Sequence, residues 1–126
     1  MVDYTLFEVL VKKGFPLKRG MIKSYEYSQT STSYTWTAIG SSDTHYYVLY
    51  ALSFYTADYA KVTVLHGGTP VFRFYNGAGQ YTNFILPFTL LRSPQTHLQV
   101  QFEIPNASDT NPVDVKVAIA FIDLGE

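Results

Sequence analysis

Apolar and polar residues alternate with a period of two along most of the chain. The clearest case lies near the C-terminus. Val113, Val115, Val117, Ile119 and Phe121 fall on one side of an extended chain, and Asp114, Lys116, Ala118, Ala120 and Ile122 on the other. Leu98, Val100, Phe102 and Ile104 alternate in the same way with Gln99, Gln101 and Glu103. A half-buried strand produces this spacing, because successive side chains point to opposite faces of a sheet. "AKVTVL" (60–65) and "PVFRFY" (70–75) flank Gly67-Gly68, which marks a two-residue hairpin. Its primed turn needs positive φ, and glycine has no Cβ to clash there. "NGAG" (76–79) marks the next turn, and "QYTNFILPFTLL" (80–91) follows as a strand, with Pro87 marking an edge or a bend. "YTWTAI" (34–39) and His45–Tyr55 are expected to pair across "GSSDT". Nearer the N-terminus, "YTLFEVLV" (4–11) fits a strand or a turn or two of helix, and "MIKSYEYS" (21–28) fits a strand.

About eight or nine short strands, with turn signals about every 8–12 residues and no clear helix, predict an all-β chain. The expected fold is a single-domain antiparallel β-sandwich, jelly-roll-like. The polar run "SQTSTS" (28–33) divides residues 1–30, an N-terminal arm or extra strands, from a sandwich body over residues 31–126.

One strand breaks the alternation. His45–Tyr55 has Tyr46, Val48, Tyr50, Leu52 and Phe54 on one side and Tyr47, Leu49 and Ala51 on the other. A single core cannot take both faces, so a third layer from residues 1–30 or a second subunit must cover one. The small outward Ala118 and Ala120 permit close approach of another sheet. The expected arrangement is a homo-oligomer with Tyr47, Leu49, Ala51, Ala118, Ala120 and Ile122 at its interface.

Composition supports a contact surface. Only 15% of the 126 residues are charged, and there are eleven Tyr and nine Phe. Tyrosine offers a large contact area with little rotamer entropy to lose. The net charge of −1 gives no whole-molecule pull towards nucleic acid. Lys12, Lys13, Lys18 and Arg19 cluster beside Phe15 and are candidates for a local phosphate contact, although a solvated loop is the expected reading. There is no cysteine, so thiolate chemistry is excluded. The first residues, "MVDYTLFEVLVKKG", lack the charged n-region of a secretory signal. No apolar run approaches the ~20 residues of a helical membrane span.

Candidate chemistry is sparse. His45, His66 and His97 are scattered, and only Asp43 with His45 has a spacing that places two metal donors on one strand face. Glu103 and Asp114 flank one loop, but no nucleophile elbow, zinc-protease helix motif or phosphate loop is present. No catalytic residue, metal or cofactor is therefore expected. Tyr34 and Trp36 share a strand face beside Ser and Thr and form a possible sugar-stacking pair, although core burial is the commoner use of such rings.

The succession "YTWTAIGSSDTHYYVLYALSF", "AKVTVLHGGTPVFRF", "FILPFTLL", "LQVQFEI" and "VDVKVAIAFID" within residues 34–124 resembles compact β-sandwich domains in virion proteins of bacterial and archaeal viruses. The chain as a whole also resembles proteins of spherical viruses of hyperthermophilic archaea. The resemblance implies a non-enzymatic coat, decoration or host-contact module. Its partners would be other copies of itself, other virion proteins or a host surface glycan. It would reside in the virion or the cytoplasm of an infected cell. Residues 1–30 fall outside the resemblance, and it carries no catalytic set onto this chain. The alternative is a carbohydrate-binding module using surface Tyr residues and Trp36.

Overall fold

The computed structural model describes residues 20–126, with 86–89 described as backbone only. Eight strands run in chain order: β1 Gly20–Gln29, β2 Ser33–Ile39, β3 Tyr46–Thr56, β4 Ala60–His66, β5 Thr69–Asn76, β6 Gln80–Arg92, β7 Leu98–Glu103 and β8 Val113–Gly125. They form two four-stranded antiparallel sheets, β1-β8-β3-β6 and β2-β7-β4-β5. The pairs β1·β8, β2·β7, β3·β6 and β4·β5 describe one long hairpin whose tip is the β4–β5 turn. Rolling that hairpin adds the pairs β3·β8 and β4·β7. This is a jelly roll, as the strand count and turn spacing predict.

The β4–β5 turn shows the local logic. Gly67 and Gly68 have φ of 59° and 81°. Two successive positive values define the I′-type turn, whose twist matches that of the flanking strands. The expected pairing across "GSSDT" does not occur. β2 belongs to one sheet and β3 to the other, so residues 40–45 cross between sheets. Local alternation cannot distinguish a hairpin from a crossover, because the side-chain pattern is the same in both.

Between the sheets lies a core of Leu98, Val100, Phe102 and Ile104 facing Val113, Val115, Val117, Ile119 and Phe121, as their alternation requires. Among the described residues, His66 Nε2 is buried without a hydrogen-bond partner, and the other buried polar side chains are paired. Asn76 Nδ2 donates to Thr56 Oγ1 (2.7 Å) and to the Gln80 carbonyl (3.0 Å), and Thr82 donates to Asn76 Oδ1 (2.7 Å). Gln29 donates to the carbonyls of Ser31 and Phe102 and accepts from the Tyr27 hydroxyl.

Residues 20–29 are an edge strand, paired with β8 at ten successive positions. They are part of the sandwich sheet. The segment "YTLFEVLV" and the cations Lys12, Lys13, Lys18 and Arg19 lie outside the described residues.

Candidate functional site

A bulge in β3 sets which side chains reach the surface. Leu49 pairs with Phe121 and Ala51 with Ala120, so Tyr50 is an extra residue opposite two consecutive residues of β8. An inserted residue reverses the alternation beyond it. Tyr47 and Leu49 therefore face the core before the bulge, and Leu52 and Phe54 face it afterwards. This corrects the expectation that Tyr47 and Leu49 form an interface. They are 5% and 1% exposed and pack inside the sandwich. Ile122 lies on the outer face opposite Val48, yet both are already buried within the subunit, so Ile122 is not available to a partner either.

Ala51, Ala118 and Ala120 do lie on the outer face of β1-β8-β3-β6. Register places Ile22 opposite Ala120, Ala120 opposite Ala51, and Ala51 opposite Ile85. Four apolar residues thus cross the whole sheet in one row, with alanines on the inner strands and isoleucines on the edge strands. Ile22 and Ile85 are 72% and 75% exposed. The large outer and small inner residues line a trough of about 220 Å³. The next row is Ser24, Ala118, Ser53 and Asn83, which is small and uncharged. Beyond it comes Glu26, Lys116, Tyr55 and Tyr81, which line a groove of about 360 Å³ with Ser24, Ser53 and Ala118.

The opposite sheet differs. Its outward rows are Ser33, Glu103, Lys61 and Tyr75; Thr35, Gln101, Thr63 and Arg73, in which Thr63 is itself buried; and Thr37, Gln99, Leu65 and Pro70. Lys61 and Glu103 form an ion pair at 2.9 Å. Arg73 belongs to this polar face, as its alternation with Phe72 and Phe74 predicts. One outer face of the sandwich carries an uninterrupted apolar row, and the other mixes charges, Gln and Thr with Leu65, Pro70 and an exposed Tyr75.

Tyr34 and Trp36 close the open side of the sandwich between the edge strands β1 and β2. Trp36 stacks on Tyr25 at 6.0 Å and 9°, and Tyr34 contacts Tyr25 and Tyr27 at 6.4 and 4.7 Å. Both rings are therefore engaged by other rings. Burial is the main cause that pushes the Tyr27 hydroxyl well above the ordinary tyrosine range. Nothing in the period-two pattern reveals this cluster, because it joins strands of different sheets.

The histidines do not converge. His45 Nδ1 lies 2.9 Å from an Asp123 carboxylate oxygen. Asp43 accepts from the Tyr47 hydroxyl (2.7 Å) and from the His45 amide (2.9 Å). The DTH motif is thus committed to hydrogen bonds at the β2–β3 crossover. Among the described residues, no group of three or more His, Asp or Glu forms a metal-binding arrangement. Glu103 and Asp114 lie in different sheets, with Glu103 paired to Lys61 and Asp114 accepting from Ser28 at 2.7 Å.

No protein-family model and no curated protein matches the chain. Among solved structures, the insecticidal delta-endotoxin Cry8Ea1 of Bacillus thuringiensis is similar at TM-score 0.46 and 11% identity over 81% of this chain and 20% of its own. The chain thus spans a fifth of that toxin's length. A CBM36-1 domain of a multidomain xylanase, from the hindgut metagenome of Trinervitermes trinervoides, is similar at TM-score 0.39 and 14% identity over 82% of this chain and 95% of its own. A chain of infectious bursal disease virus, Gx strain, is similar at TM-score 0.35 and 13% identity over 82% of this chain and 32% of its own.

Proposed function

We propose that this jelly roll is a non-enzymatic structural or accessory module of the virion type, and that it works by associating with further copies of itself. One observation carries the reading: the row Ile22–Ala120–Ala51–Ile85 crosses the outer face of one sheet without a polar residue, while every outward row of the other sheet contains Gln or charged side chains. The occupant is a second copy because neither this row nor the next contains a charged side chain, so two such faces meet without like-charge repulsion. The band is bounded by Ser24, Ser53 and Asn83, which supply the polar rim that protein interfaces carry around an apolar centre. Ala118 and Ala120 keep β8 low enough for close approach of a second sheet at the ~10 Å spacing of stacked sheets. The viral context rests on the resemblance of residues 34–124 to virion sandwich domains.

The test is Ala120→Arg, read by light scattering and sedimentation. A charge forced into a desolvated contact costs several kcal/mol. About 3 kcal/mol weakens association by roughly 150-fold. The variant should retain the wild-type fold by circular dichroism and become monomeric. A wild type that is monomeric at high concentration refutes the assembly reading.

A carbohydrate-binding role at Tyr34 and Trp36 is the second reading. Its support is the exposure of part of the Tyr34 ring at the edge of the aromatic cluster. The same rings stack on Tyr25 and Tyr27, which leaves less ring surface for a sugar.

A further inference from the structure

The groove at the far end of the apolar sheet face has the makings of a separate site. Tyr55 and Tyr81 are direct cross-strand partners, with ring centroids 4.6 Å apart and planes at 33°. Tyr81 sits on the edge strand and is 66% exposed, so most of its ring is available. Lys116 lies beside both: its ammonium is 5.9 Å from the Tyr55 centroid, and a hydrogen bond to Tyr81 raises its pKa. Glu26 is the cross-strand partner of Lys116 on the other side. Ser24 and Ser53 add hydroxyls. Ser53 donates its hydroxyl proton to Asn83 Oδ1, which leaves the Ser53 oxygen as an acceptor.

We infer that this groove, formed by Tyr81, Tyr55, Lys116, Glu26, Ser24 and Ser53, binds a neutral carbohydrate. A pyranose has an apolar C–H face and a rim of hydroxyls that both donate and accept. An exposed tyrosine ring suits the first, because it offers a rigid apolar plane. An ammonium, a carboxylate and two serine hydroxyls close by suit the second, because together they supply donors and acceptors in both directions. The groove's 360 Å³ lies within the range of small-molecule sites. The single cation is balanced by a single acid, so the groove has no net charge to select an anionic sugar or a phosphate. Nucleic acid needs several cations tracking a backbone, which this groove lacks.

The tyrosine end of this site lies apart from the centre of the assembly band, with Ser24 and Ser53 bordering both. Tyr55 is four residues along β3 from Ala51, so the two rows lie about 14 Å apart at 3.4 Å per residue. A second copy seated on the band leaves the groove at the margin of the contact. A glycan site beside a subunit contact would give an assembled shell many weak sites at once, whose combined hold far exceeds that of one.

The experiment uses the full chain with side-chain-resolved NMR of the tyrosine rings. Maltohexaose, cellohexaose, xylohexaose and mannohexaose are titrated to millimolar concentration, with sialyllactose as a charged comparison. The expected result is a saturable shift of the Tyr81 and Tyr55 ring signals with at least one neutral oligosaccharide. Tyr81→Ala should abolish it, and Lys116→Met should weaken it at least several-fold. Tyr81 is exposed on an edge strand, so the alanine variant keeps the fold, which an unchanged amide spectrum verifies. Ala120→Arg should lose assembly and keep the ring shifts, so that failure of one proposal is distinguishable from failure of the other. No shift with any neutral oligosaccharide overturns the inference. A response to sialyllactose alone does so too, as does binding that survives Tyr81→Ala but is lost on Trp36→Ala.

Discussion

Arg92 is the largest fully buried side chain among the described residues, and replacing it should cost more stability than any exposed change. Its guanidinium is 0% exposed and donates to four backbone carbonyls: Thr96 (2.7 Å), His45 (2.5 Å), Gly40 (2.9 Å) and Asp43 (2.9 Å). The Asp43 carboxylate lies 3.8 Å away, and the Tyr47 ring centroid 5.7 Å away. One side chain thus ties the β2–β3 crossover at residues 40–45 to the β6–β7 turn. Arg92→Met removes every donor while keeping much of the aliphatic stem. Hydrogen bonds from a charged donor contribute about 1.5–3 kcal/mol each, so four give about 6–12 kcal/mol gross. Returning a guanidinium to water on unfolding offsets several kcal/mol of that. The net loss is about 3–5 kcal/mol, a large share of the roughly 5–15 kcal/mol that stabilises an ordinary domain. Urea unfolding monitored at Trp36 measures it. With a slope of about 2 kcal/mol per molar, the midpoint should fall by about 2 M at unchanged slope. Arg92→Lys keeps the charge without the planar fork, so it should fall between the two. An Arg92→Met midpoint within about 0.5 M of wild type refutes the reasoning, because about 1 kcal/mol cannot hold four otherwise orphaned carbonyls.

Two further results follow from the same structure. His45 is held above the ordinary histidine range, chiefly by its hydrogen bond to Asp123, which outweighs the opposing effect of desolvation, with the charges of Asp123, Asp43 and Glu126 adding to the rise. A raised folded pKa means the pair's contribution is complete below the unfolded value of about 6.5 and fades as pH rises through the folded value. Asp123→Asn should remove that decline in stability-versus-pH curves. His66, pushed down by burial and by the Arg92 and His97 charges, has the opposite sign: its contribution is present above about 6.5 and lost on acidification. It should persist in Asp123→Asn. A truncation starting at residue 30 strips β1 from β8 along ten paired positions and removes Met21 and Tyr27 from the core wall. It should abolish cooperative unfolding, and a truncated chain that melts with the wild-type midpoint would show β1 to be dispensable.

Much of this fold was legible in the sequence. Val113–Phe121 and Leu98–Ile104 announce their buried faces because the pleat repeats every two residues, and Gly67-Gly68 announces its turn because the needed φ values exclude most other residues. These are local rules, carried by neighbouring side chains. The residues that form the candidate surfaces were not legible in that way. Tyr55, Tyr81, Lys116 and Glu26 come from four strands, and their sequence positions give no sign that they share a row. The apolar run His45–Tyr55 raised the right question about a second face, yet period-two counting assigned Tyr47 and Leu49 to the wrong side. A single extra residue, Tyr50, reversed the alternation, and it is recognisable only against the partner residues Ala120 and Phe121. Strand identity was therefore determined along the chain. Strand partnership, the bulge and the four-residue rows were decided by the tertiary structure, because backbone pairing between distant segments sets which side chains meet.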